Sequence, residues 1–127
     1  MTLFRFTINL EIFKCKSSSK LFKYYEGRDL DRSWFLASSY FTKYQYHIDN
    51  IVDNSITMLY YVNHIWDLNW GGETLFCNQY NEPEIAVSFK PNRVVFFDSQ
   101  IPHKPAYISC DANPHRFTFV AQFSDVK

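Results

Sequence analysis

Cysteine is scarce in this chain and does not pair by spacing. Cys15, Cys77 and Cys110 are its three cysteines in 127 residues, far apart and odd in number, with no C-x-x-C among them. That excludes a disulfide scaffold and points to a reducing, intracellular and cytoplasmic setting. Net charge is missing too, because 13 Lys and Arg balance 13 Asp and Glu. No global field recruits a polyanion or a charged membrane, so nucleic acid is not the expected partner. The basic excess over residues 1–46 fits a solvated face. No apolar run approaches the length of a membrane span. "MTLFRFTINLEIF" carries charges and lacks a small-residue cleavage site, so it does not fit a signal peptide. Three-turn amphipathic helices and internal repeats are absent as well.

What the chain does have is aromatic residues, 20% of the total, and many short alternating runs. "TLFRFTINLEIF" puts Phe4, Phe6, Ile8, Leu10 and Ile12 on one face, the pattern of a half-buried strand. Residues 14–31 form a polar excursion with room for a short helical turn, and suit a lid. Strand signals then crowd together: "SWFLASSYF", "TKYQYHI", "SITMLYYVN", "ETLFC", "EIAVSFK", "RVVFFD", "KPAYIS" and "HRFTFVAQF". Turn residues bound each one, as in "DNIVDN", "NWGG", "NQYNEP" and "KPN". Eight to nine short strands in one small domain predict an all-β jelly roll, with an immunoglobulin-type Greek key as the second choice.

"YQYHIDN" places His47 and Asp49 two apart, so in a strand both point to the same side. An H-x-D arises by chance in about one chain in four of this composition, so it needs a third ligand. His64 sits in a loop, and His115 follows Pro114 in a turn. His103 lies between Pro102 and Pro105, just after the apolar strand "RVVFF", where the prolines restrict the backbone. Two histidines and one carboxylate leave part of a metal's coordination sphere open, as in non-haem Fe(II) oxygenases, and the H-E-x-x-H of zinc hydrolases is absent. If the open positions take a dicarboxylic oxo acid, its far carboxylate needs a cation. Arg116 opens the apolar strand "RFTFVAQF", where a charge is costly unless paired. In isolation, an arginine snorkelling at a strand end explains it equally well.

From "YQYHIDN" through "TMLYYVN", "WGGETLF", "IAVSFKPNRVVFFDS", "IPHKPA" and "HRFTFVAQF", the chain resembles the 2-oxoglutarate and Fe(II)-dependent dioxygenases, and within them the prolyl 4-hydroxylase-like group. The resemblance covers residues 44–123. It implies a double-stranded β-helix, which is a jelly roll, with Fe(II) held by His47, Asp49 and His103. It implies 2-oxoglutarate bound through Arg116, helped by one tyrosine of "LYYVN", with Tyr61 preferred over Tyr60 and Thr118 lining the same pocket. Dioxygen is the further reactant it implies, and ascorbate a possible accessory. The implied reaction is hydroxylation of a C–H bond in a prolyl or other residue of a protein or peptide, or in a small molecule, with release of succinate and CO2. The implied layout is one domain over 1–127, with its core at 33–123 and a strand and loop at 1–32 that could be a reduced or incomplete support region. A second expectation stays open: a non-catalytic jelly-roll module that binds a metal or ligand.

Overall fold

In the computed structural model, the residues described are 7–9, 26–112 and 115–126. Period-two alternation dominates them. Eight strands form, β1 (Thr7–Asn9), β2 (Arg28–Ser38), β3 (Ile56–Tyr61), β4 (Thr74–Cys77), β5 (Pro83–Val87), β6 (Arg93–Asp98), β7 (His103–Pro105) and β8 (Arg116–Asp125). They pair into two sheets, one in the order β1-β6-β3-β8-β2 and one in the order β5-β4-β7. Every pairing is antiparallel. This is the expected all-β jelly roll. No helix among the described residues is long and apolar enough to cross a membrane.

Alternation decides what each strand buries. On β3, Thr57, Leu59 and Tyr61 point inward, while Ile56, Met58 and Tyr60 point out. The inward set meets Phe97, Val95 and Val120 from neighbouring strands and Phe76 from the smaller sheet. On β6, Val94 and Phe96 are buried as well, packed with the outward residues of β3. A strand buried on both faces needs a continuous apolar run, and "RVVFF" supplies it. The turns use asparagine where the chain reverses: Asn54, Asn81 and Asn92 have φ of 61°, 60° and 63°. Asparagine tolerates this left-handed region better than other non-glycine residues.

Several boundaries differ from the sequence reading. Of the first strand, only Thr7–Asn9 falls among the described residues, where it pairs with β6. The expected helical turn and most of the polar excursion lie outside them, but Arg28–Asp31 belong to β2, so the excursion ends sooner than expected. "TKYQYHI" forms no ladder. It bridges the smaller sheet at one position, His47 to His103, because β7 is three residues long and neither Pro102 before it nor Pro105 at its end can donate. The strand expected over "KPAYIS" ends at Pro105, leaving a single bridge from Ile108 to Gly71. The short helical element that is seen is a 3-10 turn at Leu68–Trp70, where the Asp67 carboxylate accepts from Asn69 N at 2.8 Å.

Phe97 ties this core to what lies above it, with its ring centroid 4.9 Å from Phe76 and 4.6 Å from His103. Phe97→Ala is expected to lower unfolding free energy by about 3–5 kcal/mol, read from the urea midpoint.

Candidate active site

His47 and His103 exchange both backbone hydrogen bonds, N to O at 3.1 and 3.0 Å. Directly opposed antiparallel residues project their side chains to the same side. The two imidazoles therefore stand together, with ring centroids 4.6 Å apart. Asp49 follows two residues after His47, and its own N–H donates to Ser99 O at 2.8 Å. Asp49 Oδ1 lies 3.6 Å from His47 Nε2, and Oδ2 lies 3.5 Å from His103 Nε2. One ligand atom from each of the three residues lies within 4.8 Å of the others.

Each candidate ligand is held from behind. His47 Nδ1 is 3.0 Å from Gln45 O, and His103 Nδ1 is 2.8 Å from Ile101 O. A carbonyl only accepts, so each Nδ1 carries the proton and each Nε2 keeps its lone pair for a metal. Thr57 donates to Asp49 Oδ2 at 2.8 Å and is itself 2.9 Å from the Ser99 hydroxyl. Since Thr57 donates its only hydroxyl proton to Asp49, it accepts from Ser99.

The electrostatics favour the metal-ready state at Asp49 and His103 and oppose it at His47. Burial pushes the Asp49 carboxyl upward, but the neighbouring imidazoles of His47 and His103 and the hydrogen bond from Thr57 outweigh it, so the net shift is down. Burial lowers His103 against the pull of Asp49. The Asp49 carboxylate, which a protonated Nε2 would face, raises His47 against its partial burial.

A cavity of about 200 Å³ opens beside the trio, between the two sheets. Trp34, Leu36, Leu59, Phe97 and Val120 make its apolar wall, and Tyr44, Thr74, Arg116 and Thr118 its polar end. Alternation along β8 sets Arg116, Thr118 and Val120 on this side. Asn63 pins both neighbours of Arg116, donating to His115 O at 2.8 Å and accepting from Phe117 N at 2.7 Å.

Arg116 is 1% exposed. Its Nε donates to Gly72 O at 2.8 Å and its Nη2 to Thr74 Oγ1 at 3.2 Å. The guanidinium lies over Phe89 at 5.1 Å and Tyr61 at 5.5 Å. Among the described residues no carboxylate stands within ion-pair distance of it. Burial pushes its pKa down, opposed by Tyr61, Tyr44 and the more distant charge of Glu73, and a guanidinium stays protonated. A buried cation without a counter-ion is costly, and this one calls for an anion. Thr118 Oγ1, fully buried in the same wall, has no partner. These unmet groups suit the far carboxylate of a dicarboxylic acid.

Gly72 makes room for this arrangement. Its φ is +75°, and an added Cβ would lie 3.1 Å from Trp66 and 3.2 Å from Arg116 Cδ. Of the two candidate tyrosines, Tyr61 faces inward, fully buried, with its hydroxyl 2.7 Å from Thr74 Oγ1. Tyr60 faces outward and donates to Asn92 Oδ1 at 2.8 Å. His64 and His115 are exposed and apart from the cluster. Sequence reasoning missed Thr57, Thr74, Ser99 and Tyr44. Thr57 was within reach, because it shares a strand face with Tyr61 by parity. Ser99 and Thr74 come from other strands and carry no local signal.

The family profile of the 2OG-Fe(II) oxygenase superfamily matches residues 35–123. The chain belongs to the 2OG-Fe(II) oxygenase superfamily. That family implies Fe(II), 2-oxoglutarate and dioxygen, and the His-Asp-His set and the unneutralised arginine fit the first two. The fold is similar to the crystal structure of a Pseudomonas putida prolyl-4-hydroxylase, with a TM-score of 0.59 and 19% identity over 74% of this chain. The match covers 52% of that structure, so the chain spans about half its length. No curated protein matches the sequence.

Thr57→Val removes the donor to Asp49 and is expected to weaken Co(II) binding about ten- to hundred-fold by calorimetry, with Thr57→Ser restoring it. Protons compete with metal at His47. Because Asp49 raises that histidine, Co(II) affinity is expected to start falling at a higher pH than an ordinary imidazole would set.

Proposed function

We propose that the chain is a 2-oxoglutarate- and Fe(II)-dependent dioxygenase that hydroxylates a C–H bond and releases succinate and CO2. A prolyl or other residue of a protein or peptide is the favoured substrate, with a small molecule as the other source. What carries the reading is that three metal-ligand side chains and a buried, unneutralised arginine share one cavity.

His47, Asp49 and His103 would hold the iron, since two imidazoles and one carboxylate leave coordination positions open. When bound, iron, 2-oxoglutarate and dioxygen supply the oxidising chemistry. The chain supplies orientation and exclusion of water. Arg116 would take the distal carboxylate as a charge-assisted pair, with Thr118 Oγ1 as a further hydrogen-bond donor. Tyr61 would support that site through Thr74, which it shares with Arg116. Leu36, Leu59, Phe97 and Val120 keep the cavity apolar around the reacting group. Ascorbate belongs to this reading as an accessory reductant, with no residue assigned to it. The reading takes residues 1–127 as one domain with its core at 33–123. It also places the protein in a reducing, cytoplasmic setting, in keeping with the free thiols of Cys77 and Cys110.

A module that held only a metal would have no need for a buried cation whose hydrogen-bond partners are all neutral, and that observation favours the enzyme over it. The test is anaerobic. Fe(II) and 2-oxoglutarate are added to the purified protein, and the visible charge-transfer band of the chelated oxo acid is recorded. His47→Ala is expected to abolish the band. Arg116→Ala is expected to raise the 2-oxoglutarate concentration needed for half-saturation about tenfold or more. Folded protein that gives no band would leave the module as the better account.

A further inference from the structure

The proposed function leaves the substrate's chemistry open, and a second arginine bears on it. Arg32 lies on β2, two residues before Trp34, so the two share a strand face. Trp34 lines the cavity. The β2–β8 register breaks between Leu30 and Arg32, with Leu30 opposite Phe123 and Arg32 opposite Gln122. Asp31 is the extra residue of that bulge, a device that re-aims side chains at functional edges.

The Arg32 side chain is exposed, yet it is held in place. Its Nε donates to Gln122 Oε1 at 2.7 Å, its Nη2 donates to Asp49 O at 3.0 Å, and its guanidinium lies 5.2 Å from the Trp34 ring. Gln122 is fully buried. Both acceptors are neutral, so they aim the cation without neutralising it. The nearest carboxylate in sequence, Asp31, is occupied by Ser124 Oγ at 2.7 Å. Among the described residues no carboxylate is within ion-pair distance of Arg32. A guanidinium has five N–H donors, and two are used.

We propose that Arg32 is the substrate's anion subsite. Resting on the oxygenase reading above, it assigns to that site a substrate that carries a carboxylate. The carboxylate docks on the free N–H groups of Arg32, beside the main chain of Asp49, and the C–H-bearing part of the molecule enters the apolar cavity past Trp34. A lysine could not replace it fully, because only the planar fork can hold Gln122, Asp49 and a carboxylate together.

Two matched pairs of probes test this on the protein loaded with Co(II) and 2-oxoglutarate without oxygen, with binding read by tryptophan fluorescence and calorimetry. One pair is L-proline and L-prolinamide. The other is the capped pentapeptides Gly-Glu-Pro-Glu-Gly and Gly-Gln-Pro-Gln-Gly. The carboxylate member of at least one pair is expected to bind about tenfold tighter or more than its amide. A preference in the first pair assigns a free acid, and one in the second an acidic peptide. Arg32→Gln is expected to erase the preference, Arg32→Lys to keep part of it, and Arg32→Glu to reverse it. Equal binding within both pairs, or no binding by any probe, overturns the proposal. So does a preference that survives both Arg32→Gln and Arg32→Glu. The iron charge-transfer band separates the two readings. A missing band with an Arg32-dependent preference sinks the oxygenase and keeps the subsite, and a band without a preference does the reverse.

Discussion

The reciprocal backbone pair between His47 and His103 is the constraint on which the site depends. It joins an extended segment that forms no ladder to a strand only three residues long. Because the two residues exchange both hydrogen bonds, their imidazoles emerge side by side. Each ring is then turned by the same device, a bond from Nδ1 to the carbonyl two residues earlier, at Gln45 and Ile101. Ser99 completes the frame twice over. Its carbonyl accepts from Asp49 N, and its hydroxyl reaches Asp49 through Thr57. Three candidate ligands from two distant segments of the chain are thus set by main-chain geometry more than by side-chain packing.

Between the sheets, apolar and polar halves are kept apart. Phe76, Phe97 and Ile101 form a dry base under His103. Arg116, Thr74, Thr118 and Tyr61 form a polar end held by strand alternation and by the carbonyl of Gly72. A core chosen for stability alone would not bury an unneutralised guanidinium beside an unpartnered hydroxyl. Such a cost persists where binding gives the groups partners, which is why this end is proposed as the place of the co-substrate.

Much of the fold was legible from period-two alternation. β3, β6 and β8 run close to where "SITMLYYVN", "RVVFFD" and "HRFTFVAQF" place them, because each buries alternate or continuous apolar residues against a neighbour. "TKYQYHI" has the same alternation but lacks a partner strand long enough to pair with, since one proline precedes β7 and another ends it. Alternation reports which residues face a core. It does not report whether a ladder forms.

The sequence by itself determined the chemistry on offer: the H-x-D pair, a histidine between prolines, an arginine at the head of an apolar strand, and the parity that separates Tyr60 from Tyr61. Local residue order is enough for these, because strand geometry alone puts residues two apart on one face. Only the tertiary structure decided which groups meet. Thr57 reaches Ser99 across 42 residues, Arg116 reaches Thr74 across 42, and Arg32 reaches Gln122 across 90. These contacts depend on strand order and on one bulge in β2, and neither leaves a periodic trace in the residues themselves.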